Sequence, residues 1–228
     1  MDHSAFSTLF LSTEAPLLPG SAAMRLALYA GWSIVLGSGM MFLSRKLTMA
    51  YRLGLSLSVM FWTLLAGDAS PAHWLGLAFQ SPSLVSVAVC LGSFLWSAYR
   101  PQGGVGQALR SDPGALRILM AAGIVTGWLM LIDTLALLPV SLYAWGFGSS
   151  AFAAVLALGA LFWLTRGSLA SALPLTVMAL FAISRLPTGN IWDALLDPWL
   201  WLALQTGWLV SAVRRHRAAR VLSATTHV

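Results

Sequence analysis

Apolar residues along the chain gather into long uninterrupted runs separated by short polar or basic stretches, with no alternation of polarity inside them. At 1.5 Å rise per residue such runs can cross a hydrocarbon layer of about 30 Å as helices, whereas a transmembrane barrel needs shorter strands of alternating polarity. The pattern predicts spans near Arg25–Leu43, Leu53–Gly67, Ser83–Tyr99, Arg117–Leu138, Ala144–Thr165, Ser168–Ser184 and Pro198–Val213. The second run is the shortest and has to draw in Tyr51 and part of Met49–Arg52. The turn between the fifth and sixth contains little beyond Arg166 and Gly167, and the hairpin between the fourth and fifth rests on Pro139.

Prolines mark several helix starts. Ser70-Pro71, Ser81-Pro82, Asp112-Pro113 and Asp197-Pro198 each place a capping side chain before a proline, which is tolerated at the first helical position. The pairs at Ser70 and Ser81 bracket a short interfacial helix, Pro71–Gln80. Pro174 instead falls inside the sixth span and is expected to kink it or free a carbonyl.

Composition sharpens this picture. The chain is 58% apolar and 9% charged, too few charges to keep a soluble surface wet. Residues 1–20 carry Asp2 and Glu14 but no Lys or Arg, so no removable secretory signal is expected. The single cysteine, Cys90, excludes an internal disulfide, a CxxC pair and a cysteine zinc site, and reads as a small buried apolar side chain.

Charge then gives the spans a direction. With the N-terminus outside, Arg45, Lys46, Arg52, Arg100, Arg110, Arg117, Arg166, Arg214, Arg215, Arg217 and Arg220 all fall inside, and of the thirteen basic residues only Arg25 and Arg185 fall outside. Asp2, Glu14, Asp68, Asp193 and Asp197 fall outside, Asp112 inside, and Asp133 within a span. The expectation is an all-α, polytopic integral membrane bundle of seven transmembrane helices, N-terminus outside and C-terminus cytoplasmic, in a bacterial-type inner membrane. Six spans with an interfacial helix is the competing count. Residues 1–24 form a short outer segment, 25–213 the membrane domain and 214–228 a basic cytoplasmic tail.

Small residues supply surfaces for close helix approach: Ala27 and Gly31 with Gly37 and Gly39 on the first span, and Ser149, Ala153 and Ala157 on the fifth. Of the eleven tryptophans, Trp74, Trp145, Trp192, Trp199 and Trp201 are expected near the outer interface, and Trp32, Trp62, Trp128 and Trp208 deeper.

Chemistry is sparse. Asp133 interrupts the apolar stretch Trp128–Leu138, and an ionisable group at membrane depth points to a lined cavity, a proton or ion step, or a buried partner. The loop from Arg185 to Pro198 adds Asp193 and Asp197, expected four apart on one face of a short helix capped by Asn190, with Arg185 free to pair with either or with Asp133. Asp133, Arg185, Asp193 and Asp197 are the candidate functional cluster. Gln205, Thr206 and Pro174 are secondary candidates.

Several activities are set aside. His3, His73, His216 and His227 all lie in loops or tails, which removes a serine–histidine intramembrane protease and a bis-histidine haem, although Gly148-Ser149-Ser150-Ala151 has the glycine and serine. The only lysine, Lys46, lies in a loop, which removes a Schiff-base chromophore, and no HExxH motif is present. No cofactor or metal is expected. The arginines of the tail attract anionic lipid rather than nucleic acid. The favoured function is a noncatalytic membrane subunit or assembly factor that meets other membrane protein subunits. The alternatives are a small transporter or channel with a polar site near the outer face, or an enzyme acting on a lipid-linked substrate.

Overall fold

The computed structural model describes residues 18–99 and 112–225, with side chains in the last helix as far as Arg217. Asp2, Glu14, Arg100, Arg110, His3, His227 and the side chain of Arg220 lie outside the described residues, as does most of the expected outer segment. The described residues form ten helices and no strands: α1 (Ser21–Leu43), α2 (Met49–Thr63), α3 (Pro71–Phe79), α4 (Leu84–Tyr99), α5 (Pro113–Thr134), α6 (Leu142–Trp145), α7 (Ser149–Arg166), α8 (Leu169–Ser184), α9 (Ile191–Leu195) and α10 (Pro198–Thr225).

Three of these, α1, α5 and α7, are long and apolar enough to cross a membrane. α4 and α8 are equally apolar but have 16 residues each, about 24 Å of helix. α2 does begin at Met49, as its short apolar run requires. Large apolar side chains including Phe61, Leu95, Val125, Leu158, Leu164, Ile183 and Leu209 face outward along the helices. Water does not tolerate so extensive an apolar exterior, so the chain is a membrane-embedded helical protein.

Helix ends follow local chemistry. Ser70 accepts from the Ala72 amide at 3.1 Å and Asp112 from the Ala115 amide at 2.9 Å, so both Xaa-Pro caps form. Asp112 also lies 3.8 Å from Arg166, and its carboxyl is held below the usual carboxylate range, first by the Ala115 amide. Ser81 is not a cap: α4 starts at Leu84, and Ser83 accepts from the Ser86 amide at 3.1 Å. The tight α7–α8 turn works because Gly167 adopts the left-handed conformation, φ +59°, after which Ser168 and Ser171 close a reciprocal capping box. α8 runs unbroken through Pro174.

Glycines set the close contacts. Gly31 meets Pro82 and Val87, and Gly37 meets Met60, so the first-span surface seals the chain against its own α2 and α4. Gly123 and Gly127, four apart on α5, receive Leu204 and Trp201 of α10; a Cβ on Gly127 would stand 2.2 Å from Trp201 Cδ1. The Ser149, Ala153, Ala157 row on α7 faces outward, while Ala151 and Gly159 face α8. Ala151, Met178, Phe181, Ile191 and Ala194 form the buried cluster that joins α7, α8 and α9.

Candidate functional site

The polar residues converge where α3 ends, α4 and α10 begin, and α6 and α9 lie across the bundle. α9 and α6 are fastened first. The fully buried Asn190 accepts from the Trp192 amide at 2.9 Å, as its capping position predicts, and also donates through Nδ2 to the Tyr143 carbonyl at 2.9 Å. Trp192 Nε1 donates to the Leu142 carbonyl and the Ile191 amide to the Gly146 carbonyl. Gly146 has to be glycine here, because a Cβ would lie 2.1 Å from Asn190 Oδ1. The cross-link from Asn190 to Tyr143 bridges 47 residues, so it has no local sequence signal.

Asp197 ties together two helix starts. Its Oδ1 accepts from the Leu200 amide at 2.7 Å, the expected cap of α10. Its Oδ2 accepts from the Ser83 amide at 2.8 Å and from the Ser86 hydroxyl, both at the start of α4. Two N-terminal helix dipoles thus share one carboxylate, which is only 7% exposed. The second half of this arrangement, 114 residues away in sequence, is what the Asp-Pro pair does not reveal.

Asp193 and Asp197 do not lie on one helical face, because α9 ends at Leu195 and Leu196 is extended, φ −144° and ψ 133°. Asp193 Oδ2 instead accepts from the Tyr143 hydroxyl at 2.8 Å and from Thr188. The Tyr143 hydroxyl is held protonated, its pKa raised first by burial and then by the charge of Asp193.

Asp133 is not mid-span. α5 ends at Thr134, the chain turns through Ala136 at φ +54°, and the Asp133 carboxylate accepts from the Tyr143 amide at 2.7 Å and the Ser141 hydroxyl at 3.2 Å. The apolar run continues past the helix as Leu135, Leu137 and Val140, exposed residues of the connection, which is why hydropathy carried the span too far.

Arg185 pairs with none of the three aspartates. As the left-handed C-cap of α8, φ 54°, it lays its guanidinium over Phe181 at 5.4 Å and Phe152 at 5.8 Å. The secondary candidates stand apart from this end: Thr206 faces outward and bonds its own Leu202 carbonyl, Gln205 is half-buried on α10, and Pro174 packs near Gly159.

Between these elements lies a cavity of about 390 Å³. Ala78 to Ser81 form one side of it, and Tyr143, Thr188, Asp193 and Leu196 to Pro198 the other. Asp193 and Asp197 are therefore brought to one site, Asp193 from the Asn190-capped α9 and Asp197 from the cap of α10 rather than from one helical face. Gln80, in sequence only the end of the interfacial helix, also helps line the cavity. Gln80 adopts φ 61° and ψ −154°, a conformation that costs a non-glycine residue about 1–3 kcal/mol, and its carbonyl accepts from Trp32 Nε1 at 2.8 Å.

No family model, no curated protein and no solved structure matches this chain. Its function has to be argued from these residues.

Tryptophans fall partly as expected. Trp192 and Trp199 lie at this end, and Trp74 Nε1 donates to the Asp68 carbonyl in the α2–α3 turn. Trp62 is not deep: its Nε1 donates to the Ala69 carbonyl in the same turn. Trp128 and Trp201 meet edge to face at 5.2 Å and hold α5 to α10.

Proposed function

We propose that the chain is a noncatalytic integral subunit or assembly factor of an inner-membrane complex, spanning the bilayer seven times with its N-terminus outside. The observation that carries this reading is the fate of its polar groups. Several hydroxyls within the apolar helices bond to their own backbone one turn back, as Thr165 does to Leu161, Thr176 to Ala172, Thr206 to Leu202 and Ser211 to Gly207, and Ser33 and Ser56 are satisfied by Met60 and Met41 of the helix packed against each. Asp133 and Asp197 are spent on backbone amides at one end. A solute path needs such groups turned inward and available. An apolar exterior with polar groups satisfied internally suits a protein that packs against lipid and other membrane proteins.

The orientation is supported by the charges at the two ends. Arg45, Lys46, Arg117 and Arg166 lie at or near one set of helix ends and Arg214 within the later part of α10, and Asp68, Asp133, Asp193 and Asp197 at or near the other set of helix ends. The tail arginines then meet anionic headgroups of the cytoplasmic leaflet.

Cysteine accessibility tests the topology. In a Cys90→Ala background, a membrane-impermeant maleimide applied to intact cells is expected to label Ala69→Cys and Leu137→Cys. Lys46→Cys and Arg217→Cys should react only after the membrane is opened. Labelling of either basic-end position in intact cells refutes the seven-span, N-out arrangement.

Native purification in mild detergent tests the assembly role. The chain is expected to emerge with defined membrane partners in fixed proportion. Repeated isolation as a lone, folded chain overturns it.

A further inference from the structure

We propose that the cavity between the end of α3 and the α9–α10 junction binds an organic ammonium group. Its volume of about 390 Å³ lies within the range of small-ligand pockets and exceeds what one hydrated ion needs. Its charge is one-sided. Asp193 and Asp197 contribute carboxylates, and the described ion pairs, His73 with Asp68 and Arg166 with Asp112, leave both without a cation. Arg185, the basic residue closest to them in sequence, is committed to the rings of Phe152 and Phe181.

The two carboxylates play different parts. Asp197 holds two helix starts through both of its oxygens, and those helix ends offset its charge, so it frames the cavity and leaves the contact to Asp193. The described bonds of Asp193 both fall on Oδ2, which leaves Oδ1 as the atom that meets an incoming N–H. Thr188 and Tyr143 point their hydroxyl protons at Asp193, so they fix that carboxylate in place.

The aromatic wall selects the kind of cation. Phe79 lines the cavity and is braced edge to face by Trp199 at 4.8 Å between ring centres. Tyr143 lines it as a neutral phenol. Aromatic rings beside a carboxylate suit an alkylammonium, whose charge gains from the ring quadrupole and whose N–H groups exchange water for the carboxylate. A hard metal ion prefers six or more oxygen ligands, and among the described residues no group of three or more His, Cys, Asp or Glu is gathered to hold one. An ammonium can come from a lipid headgroup in the leaflet at that end or from a free amine.

The test uses the full chain in nanodiscs of phosphatidylglycerol, with ethanolamine as the probe and tryptophan fluorescence as the readout. Saturable binding is expected, with sodium chloride at equal ionic strength giving no such change. Asp193→Asn should weaken binding by about tenfold or more, as loss of a charge-assisted contact does, and Phe79→Leu should weaken it several-fold. Both variants are first checked for native helical content by circular dichroism, and Phe79→Leu serves where Asp193→Asn fails to fold. Repeating the titration in phosphatidylethanolamine nanodiscs separates the sources. Loss of ethanolamine binding there assigns the cavity to the lipid headgroup, and unchanged binding assigns it to a free amine. A response matched by sodium chloride, or equal affinity in parent and both variants, overturns the proposal.

Discussion

Asp197→Ala is expected to destabilise the protein by about 3–5 kcal/mol, read as a lowered midpoint of thermal or denaturant unfolding in detergent. The substitution removes the acceptor for the Leu200 and Ser83 amides and the Ser86 hydroxyl in one step. The Ser83 amide lies in a fully buried residue and is left without its partner. Asp197→Asn keeps a carbonyl oxygen and should recover part of the loss, because one amide oxygen can still cap α10 while the charge shared by the two helix starts is gone. A variant chain as stable as the parent would refute the view that this carboxylate joins α4 to α10.

Gly127→Leu is the second large effect. α10 packs chiefly on α5, and Trp201 sits so close to Gly127 that a Cβ would lie 2.2–2.6 Å from three atoms of the indole, including Cγ near its base. The ring cannot swing clear without breaking its edge contact with Trp128 and its bond to the Ile124 carbonyl. Overpacking of about 1–3 kcal/mol is expected, with α10 displaced from α5. Combining Gly127→Leu with Trp201→Ala should cost less than the sum of the single changes, since each relieves the crowding or the hole left by the other. Strict additivity in that double-mutant cycle would show that the two residues do not meet.

Much of the helix layout was legible because its signals are local. Caps at Ser70, Asp112 and Asp197, the turn at Gly167 and the start of α2 at Met49 all follow from residues within a few positions of one another. Where hydropathy alone set the end of the fourth span, it ran too far. The apolar connection after Thr134 reads like helix, so the expected fourth span runs on to Leu138, whereas α5 stops at Thr134 and Asp133 stands in its last turn, with its carboxylate on the Tyr143 amide.

The candidate site was legible only by composition. Asp193 and Asp197 do share a cavity, but Tyr143, Thr188 and Gln80 reach it through contacts across the bundle that no spacing encodes. Arg185 illustrates the limit from the other side. Charge complementarity points it at the aspartates, while the backbone at the end of α8 turns it onto two phenylalanine rings. The close pairing of Gly123 and Gly127 with α10 has a sequence signal, their four-residue spacing, but it is the same signal that the first and fifth spans carry.

The bond between Ser83 and Asp197 also constrains the order in which the protein can be completed. A ribosome releases residue 83 long before residue 197, so the Ser83 amide has to wait for its partner while the helices between them are made. Water serves that amide in the interim, and α10 displaces it when its first turn arrives. The start of α10 therefore acts as a latch on the start of α4, and that contact can form only once the residues between them have been made.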